Sequence, residues 1–115
     1  MIQSRHGRRG FKSWTWSDWS IGDRHLQYGT LTLGVRGEAH FECVSYTTKP
    51  EGTEHWWAGF SLETRAGVRL HVEPPRQGAA MADGARAVRY RWSFNFTYEP
   101  SQFAEIERVV QHASS

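Results

Sequence analysis

Residues 87–98, AVRYRWSFNFTY, constrain the fold more than any other stretch. Val88, Tyr90, Trp92, Phe94, Phe96 and Tyr98 alternate with Arg89, Arg91, Ser93, Asn95 and Thr97. Successive side chains of a strand point to opposite faces, so this pattern predicts one aromatic face and one polar face. An aromatic face of that length must be covered by other strands.

Similar alternation recurs along the chain. In residues 13–17, SWTWS, Trp14 and Trp16 share a face, and Ile21-Gly22-Asp23 reads as a turn. Leu31, Leu33 and Val35 point one way in the next strand, and Arg36-Gly37-Glu38 predicts a hairpin into a strand with Ala39, Phe41 and Cys43 inward. Residues 54–64 place Trp56, Ala58, Phe60 and Leu62 inward. Val68, Leu70 and Val72 then alternate with Arg69, His71 and Glu73. Residues 74–86, PPRQGAAMADGAR, read as one long mobile loop of the kind that serves as a lid or binding arm. After Pro100, Ser101 can cap a short amphipathic helix carrying Phe103, Ile106 and Val110. The expected fold is all-β, an antiparallel meander forming a sandwich or small barrel with one short C-terminal helix.

Charge separates the ends. Arg5, Arg8, Arg9 and Lys12 precede any acid, so residues 1–12 are expected to be a basic flexible tail and residues 13–115 a single β domain. The basic start lacks the apolar run of a secretory signal, and nothing resembles a membrane span. The single cysteine, Cys43, excludes an internal disulfide and suits a reducing compartment, so a cytoplasmic location is expected.

The order of motifs resembles a family of small all-β actinobacterial proteins without an assigned function. The shared features are Thr15-Trp16, Gly22-Asp23, Leu31-x-Leu33 and Gly37-x-Ala39-x-Phe41, then Trp57 to Leu62, Ala82-Asp83-Gly84, Tyr90-x-Trp92, Pro100 and Phe103. The resemblance implies the fold and no active site. Relatives of that pattern carry a cysteine after the Gly-Asp pair and another near the C-terminus, where this chain has Arg24 and Ser114-Ser115. In size and style the chain also resembles the small cofactor-free β-protein cyclases of natural-product pathways, among them those forming lysinoalanine bridges in lanthipeptides and those performing cycloadditions.

His40, Glu42, His55, Trp57, Glu63, Arg69, His71, Arg89 and Arg91 fall on the non-core side of their strands. No pair has a recognised metal-ligand spacing, and Gly-x-Ser-x-Gly, dinucleotide and phosphate-loop patterns are missing, so neither metal nor cofactor is expected. His40 and Glu42, two residues apart on a strand, point the same way, which suits a histidine base oriented by a carboxylate. His40, Glu42 and His71 are the candidate catalytic residues. Arg24, His55, Trp57, Arg89 and Arg91 are candidates for holding a peptide or small-molecule substrate, the arginines through a carboxylate. The chemistry that fits is a cofactor-free cyclase or cross-linking enzyme assisting proton transfer during ring closure. The alternative is a protein-binding or inhibitory module docking through an aromatic-charged sheet face. Trp57 on such a face also makes a homodimer an expectation, whereas the mildly acidic body argues against nucleic acid.

Overall fold

The computed structural model describes residues 3–8 and 10–113, with side chains from residue 10 onward. Two antiparallel sheets pack face to face. The larger has the order β1-β2-β4-β5-β8, built from β1 (Gln3–Arg8), β2 (Phe11–Trp16), β4 (Arg24–Gly34), β5 (Glu38–Thr47) and β8 (Tyr90–Thr97). The short β3 (Trp19–Ile21) pairs with β4. The smaller sheet runs β7-β6-β9, from β6 (Glu54–Glu63), β7 (Arg69–Met81) and β9 (Arg108–His112). The arrangement is a sandwich, and its described strands do not close into a barrel.

The core lies where the alternation predicts, except that Val35 falls in the β4–β5 turn and Val88 ahead of β8, both exposed. Trp14, Trp16, Leu31, Leu33, Ala39, Phe41 and Cys43 from the large sheet meet Trp56, Ala58, Phe60 and Leu62 from β6. On β8, Phe96 and the following Tyr98 are buried, Trp92 and Phe94 half-buried, and Arg91, Ser93, Asn95 and Thr97 exposed. Phe60 is the hub, with the rings of Phe41, Trp16, Phe96 and Phe94 at 4.9, 5.8, 6.0 and 6.2 Å. Such offset and tilted ring pairs add about 0.5–1.5 kcal/mol each beyond area burial. Gly37, at φ +92, makes the β4–β5 turn, and a Cβ there would lie 2.6 Å from the Tyr98 carbonyl oxygen. Only glycine fits both the dihedral and the space.

Three segments depart from expectation. Within the span expected to be a basic tail, residues 3–8 form β1, paired with β2 in unbroken register from Gln3↔Trp16 to Arg8↔Phe11. Lys12 is buried in β2, and its ammonium donates to the carbonyls of Phe103 (2.6 Å), Ile106 (2.9 Å) and Ala104 (3.4 Å).

Second, most of the expected loop at 74–86 is strand. β7 uses thirteen residues to span the ten of β6, because three bulges each add one residue to β7. As an edge strand it tolerates Pro74 and Pro75.

Third, the expected C-terminal amphipathic helix is a 3-10 helix, Pro100–Glu105, followed by β9. Ile106, Val109, Gln111 and Ala113 are buried while Arg108, Val110 and His112 are not, which is strand rather than helix alternation from Arg108 onward. The cap is the Glu99 carboxylate, which accepts from the Ser101 backbone N–H at 3.3 Å.

Candidate functional site

The solvent face of the large sheet is a grid of short polar side chains. Register sets three cross-strand rows over β2, β4, β5 and β8: Phe11-Gly34-Glu38-Thr97, Ser13-Thr32-His40-Asn95 and Thr15-Thr30-Glu42-Ser93. The first two rows border a hollow of about 470 Å3. Gly34 contributes no side chain, and the Glu38 carboxyl lies where a Cβ on Gly34 would stand. Phe11 forms one wall and is 52% exposed.

His40 sits in the middle row of this hollow. Its Nδ1 lies 2.6 Å from Asn95 Oδ1. An amide oxygen only accepts, so this contact keeps a proton on Nδ1 and leaves the Nε2 lone pair for other partners. Glu42 Oε2 lies 3.9 Å from Nε2, at the outer limit of ion-pair contact. Both side chains are about half exposed, so water weakens the attraction between them.

The remaining predicted residues divide among separate surfaces. Arg89 and Arg91 share the face of His40 but lie toward its other end, where the Arg89 guanidinium covers the Tyr46 ring at 3.6 Å. Tyr46 also stacks on His25 at 4.5 Å, and His25 Nδ1 is 2.6 Å from the Ser20 hydroxyl. Arg24 reaches across to the small sheet and donates to the His55 carbonyl oxygen at 3.4 Å. His55 Nδ1 lies 3.0 Å from the Gly78 carbonyl oxygen. Trp57 alternates with buried Trp56 and Ala58, on the outer side of the small sheet.

His71 stands apart from all of these. The bulge between Leu62↔His71 and Glu63↔Arg69 reverses the expected alternation, so His71 stacks on Phe96 at 5.8 Å while Val68 and Val72 are exposed. Its Nε2 is 3.1 Å from Glu73 Oε1, and Arg76 holds the other Glu73 oxygen at 2.9 Å. Side chains on the non-core side of a flat meander therefore lie on different surfaces once the two sheets pack, and residues 74–81 roof none of them, because they belong to β7.

Phe11, Thr32, Glu38 and Asn95 join the hollow without having been singled out in the sequence. The tight Gly37 turn sets Thr32 opposite His40, a pairing readable from the hairpin. Asn95 reaches His40 only through the long-range β5–β8 pairing.

Cys43 contributes no nucleophile: burial pushes its thiol well up, and the negative charge of Glu42 adds to the shift. Among the described residues, no three His, Cys, Asp or Glu side chains are grouped to hold a metal, and no helix is long and apolar enough to cross a membrane.

A model of a family of unknown function (DUF6294) matches residues 30–115. No curated protein and no solved structure matches the chain.

Proposed function

We propose that this chain, which belongs to the family of unknown function DUF6294, is a binding module whose ligand occupies the His40 hollow on the outer face of the large sheet. The observation carrying this reading is the half-exposed Phe11 ring beside a pre-formed His40–Asn95 hydrogen bond. Binding sites are concave and largely formed in advance, with few convergent polar groups. The hollow matches that description. Its test is a fragment and peptide screen followed by amide chemical shifts. Binders that perturb Thr32, His40, Asn95 and Thr97 support the reading, and binders that gather instead on the Trp57 face remove it.

The geometry of His40 favours one further reading, a cofactor-free cyclase or cross-linking enzyme. With Nδ1 held by Asn95, Nε2 is oriented to take a proton during ring closure. Tyr46, the ring covered by Arg89, lies six residues along β5 from His40, about 20 Å at strand rise. A substrate anchored at the arginines and reacting at His40 would thus be an extended peptide, such as a lanthipeptide precursor. Turnover of a candidate precursor that survives His40→Ala unchanged would exclude this reading.

A further inference from the structure

We infer that the ligand of this hollow is a neutral, extended saccharide chain; the inference rests on the binding-module reading above. Three observations carry it. The polar floor includes the hydroxyl and amide groups of Thr32, Asn95 and Thr97, which can each donate and accept hydrogen bonds as sugar hydroxyls do. Over β4 and β5, whose backbones are paired on both sides within the sheet, the contacts on offer are those of side chains.

Charge is the second observation. Glu38 borders the hollow and Glu42 lies one row away, while its described lining contains no lysine or arginine. An anionic ligand would meet like charge over β4 and β5, the nearest base by register being Arg8, which pairs with Phe11 at the far wall.

The third is a pair of exposed rings along one line. The β4 bulge between Gln27 and Thr30 turns Gly29 into the core, where a Cβ would stand 3.2 Å from Leu26. Tyr28 is left 71% exposed at φ +55. A bulky residue in that region carries backbone strain of about 1–3 kcal/mol, which an exposed side chain does not offset by core packing. Tyr28 lies six residues along β4 from Gly34, the partner of Phe11, so the two rings are about 20 Å apart at strand rise. Flat apolar rings spaced along a hydroxyl-rich face suit the apolar faces of successive sugar rings, with the polar floor between them.

The experiment titrates the full chain with cellohexaose, chitohexaose, maltohexaose and mannohexaose, following amide chemical shifts and binding heat. The expected result is perturbation of Phe11, Tyr28, Thr32 and Asn95 by at least one of them. Phe11→Ala and Tyr28→Gly should each weaken that binding about tenfold, while Trp57→Ala leaves it unchanged. Glycine accepts the positive φ at position 28, so that variant keeps the fold. Saccharide binding that moves the Trp57 face overturns the inference. If no saccharide binds but a peptide or fragment perturbs the same hollow, the saccharide class fails and the binding reading stands. Silence of the hollow toward every probe removes both.

Discussion

Lys12 shows how far a single residue's role can lie from its local context. In the sequence it is one of four early bases, yet its three ammonium donors reach carbonyls ninety or more residues away, at the end of the 3-10 helix. Lys12→Met keeps the apolar stem and orphans those carbonyls, so a loss of about 2 kcal/mol is expected in chemical denaturation. A variant as stable as the parent would mean that water satisfies them. Tyr98 makes a pH-dependent contribution. Burial, helped by the Glu38 charge, raises its phenol from 10.0 to about 12 in the fold, where its hydroxyl donates to the Gly34 carbonyl. The unfolded chain therefore releases this proton first. Stability from Tyr98 is complete below about pH 10 and is lost as pH rises toward about 12. Tyr98→Phe lacks the hydrogen bond but also the titration. The stability gap between the two proteins should narrow across that window, and a constant gap would show that the phenol ionises equally in both states. Tyr98 was legible as a core aromatic; its hydroxyl partner was not, because Gly34 is sixty-four residues away.

Elements with strict alternation and their own turns were readable: β2, the C-terminal end of β4, β5, β6 and β8 follow from period two alone, whereas the start of β4 lay in a stretch where the alternation breaks. Those that failed did so for physical reasons. β7 carries three bulges, and each shifts the register by one residue, so no single period describes it. β9 is short, and Ile106 and Val110 satisfy a helical spacing as well as the strand that forms. Gly78 shows that the small residues of β7 are fitted rather than loose. A Cβ there would lie 2.4 Å from the Trp92 ring and 2.8 Å from the Trp56 carbonyl oxygen. Gly78→Ala must push β7 away from β8 or turn the indole, at a cost of about 1–3 kcal/mol. The Trp92 indole N–H donates to the Ser45 hydroxyl at 2.8 Å, so a turned ring also loses that bond. An unchanged melting temperature together with unchanged near-ultraviolet circular dichroism would show that the strand is slack. The same bulges explain the partial legibility of the site. His40 and Glu42 lie on unbulged β5 and emerge together as expected, whereas His71 is moved by a bulge that no residue pattern announces.

For the whole molecule, the decisive event is the folding back of the small sheet, which separates residues that a flat meander would align. It also creates a seam between β7 and β8, strands of different sheets that share no hydrogen-bond ladder. Side chains close that seam. Glu73, 13% exposed, bridges His71 and Arg76, while those two residues lie over Phe96 at 5.8 Å and Phe94 at 4.9 Å. The carboxylate thus holds a cation and an imidazole flat against the aromatic face of β8, covering the edge of the core. Arg76 is 45% exposed, so solvent screens its half of the bridge. Glu73→Gln retains the shape and removes the charge. The expected cost is about 1 kcal/mol, concentrated locally: amide exchange in β7 should accelerate while β6, hydrogen-bonded on both sides, keeps its protection. If β6 and β7 accelerate together, the seam is a cooperative part of the core rather than a separate clasp. If neither changes, ring packing alone holds the sheets together and the Glu73 carboxylate adds nothing measurable to the stability of the fold.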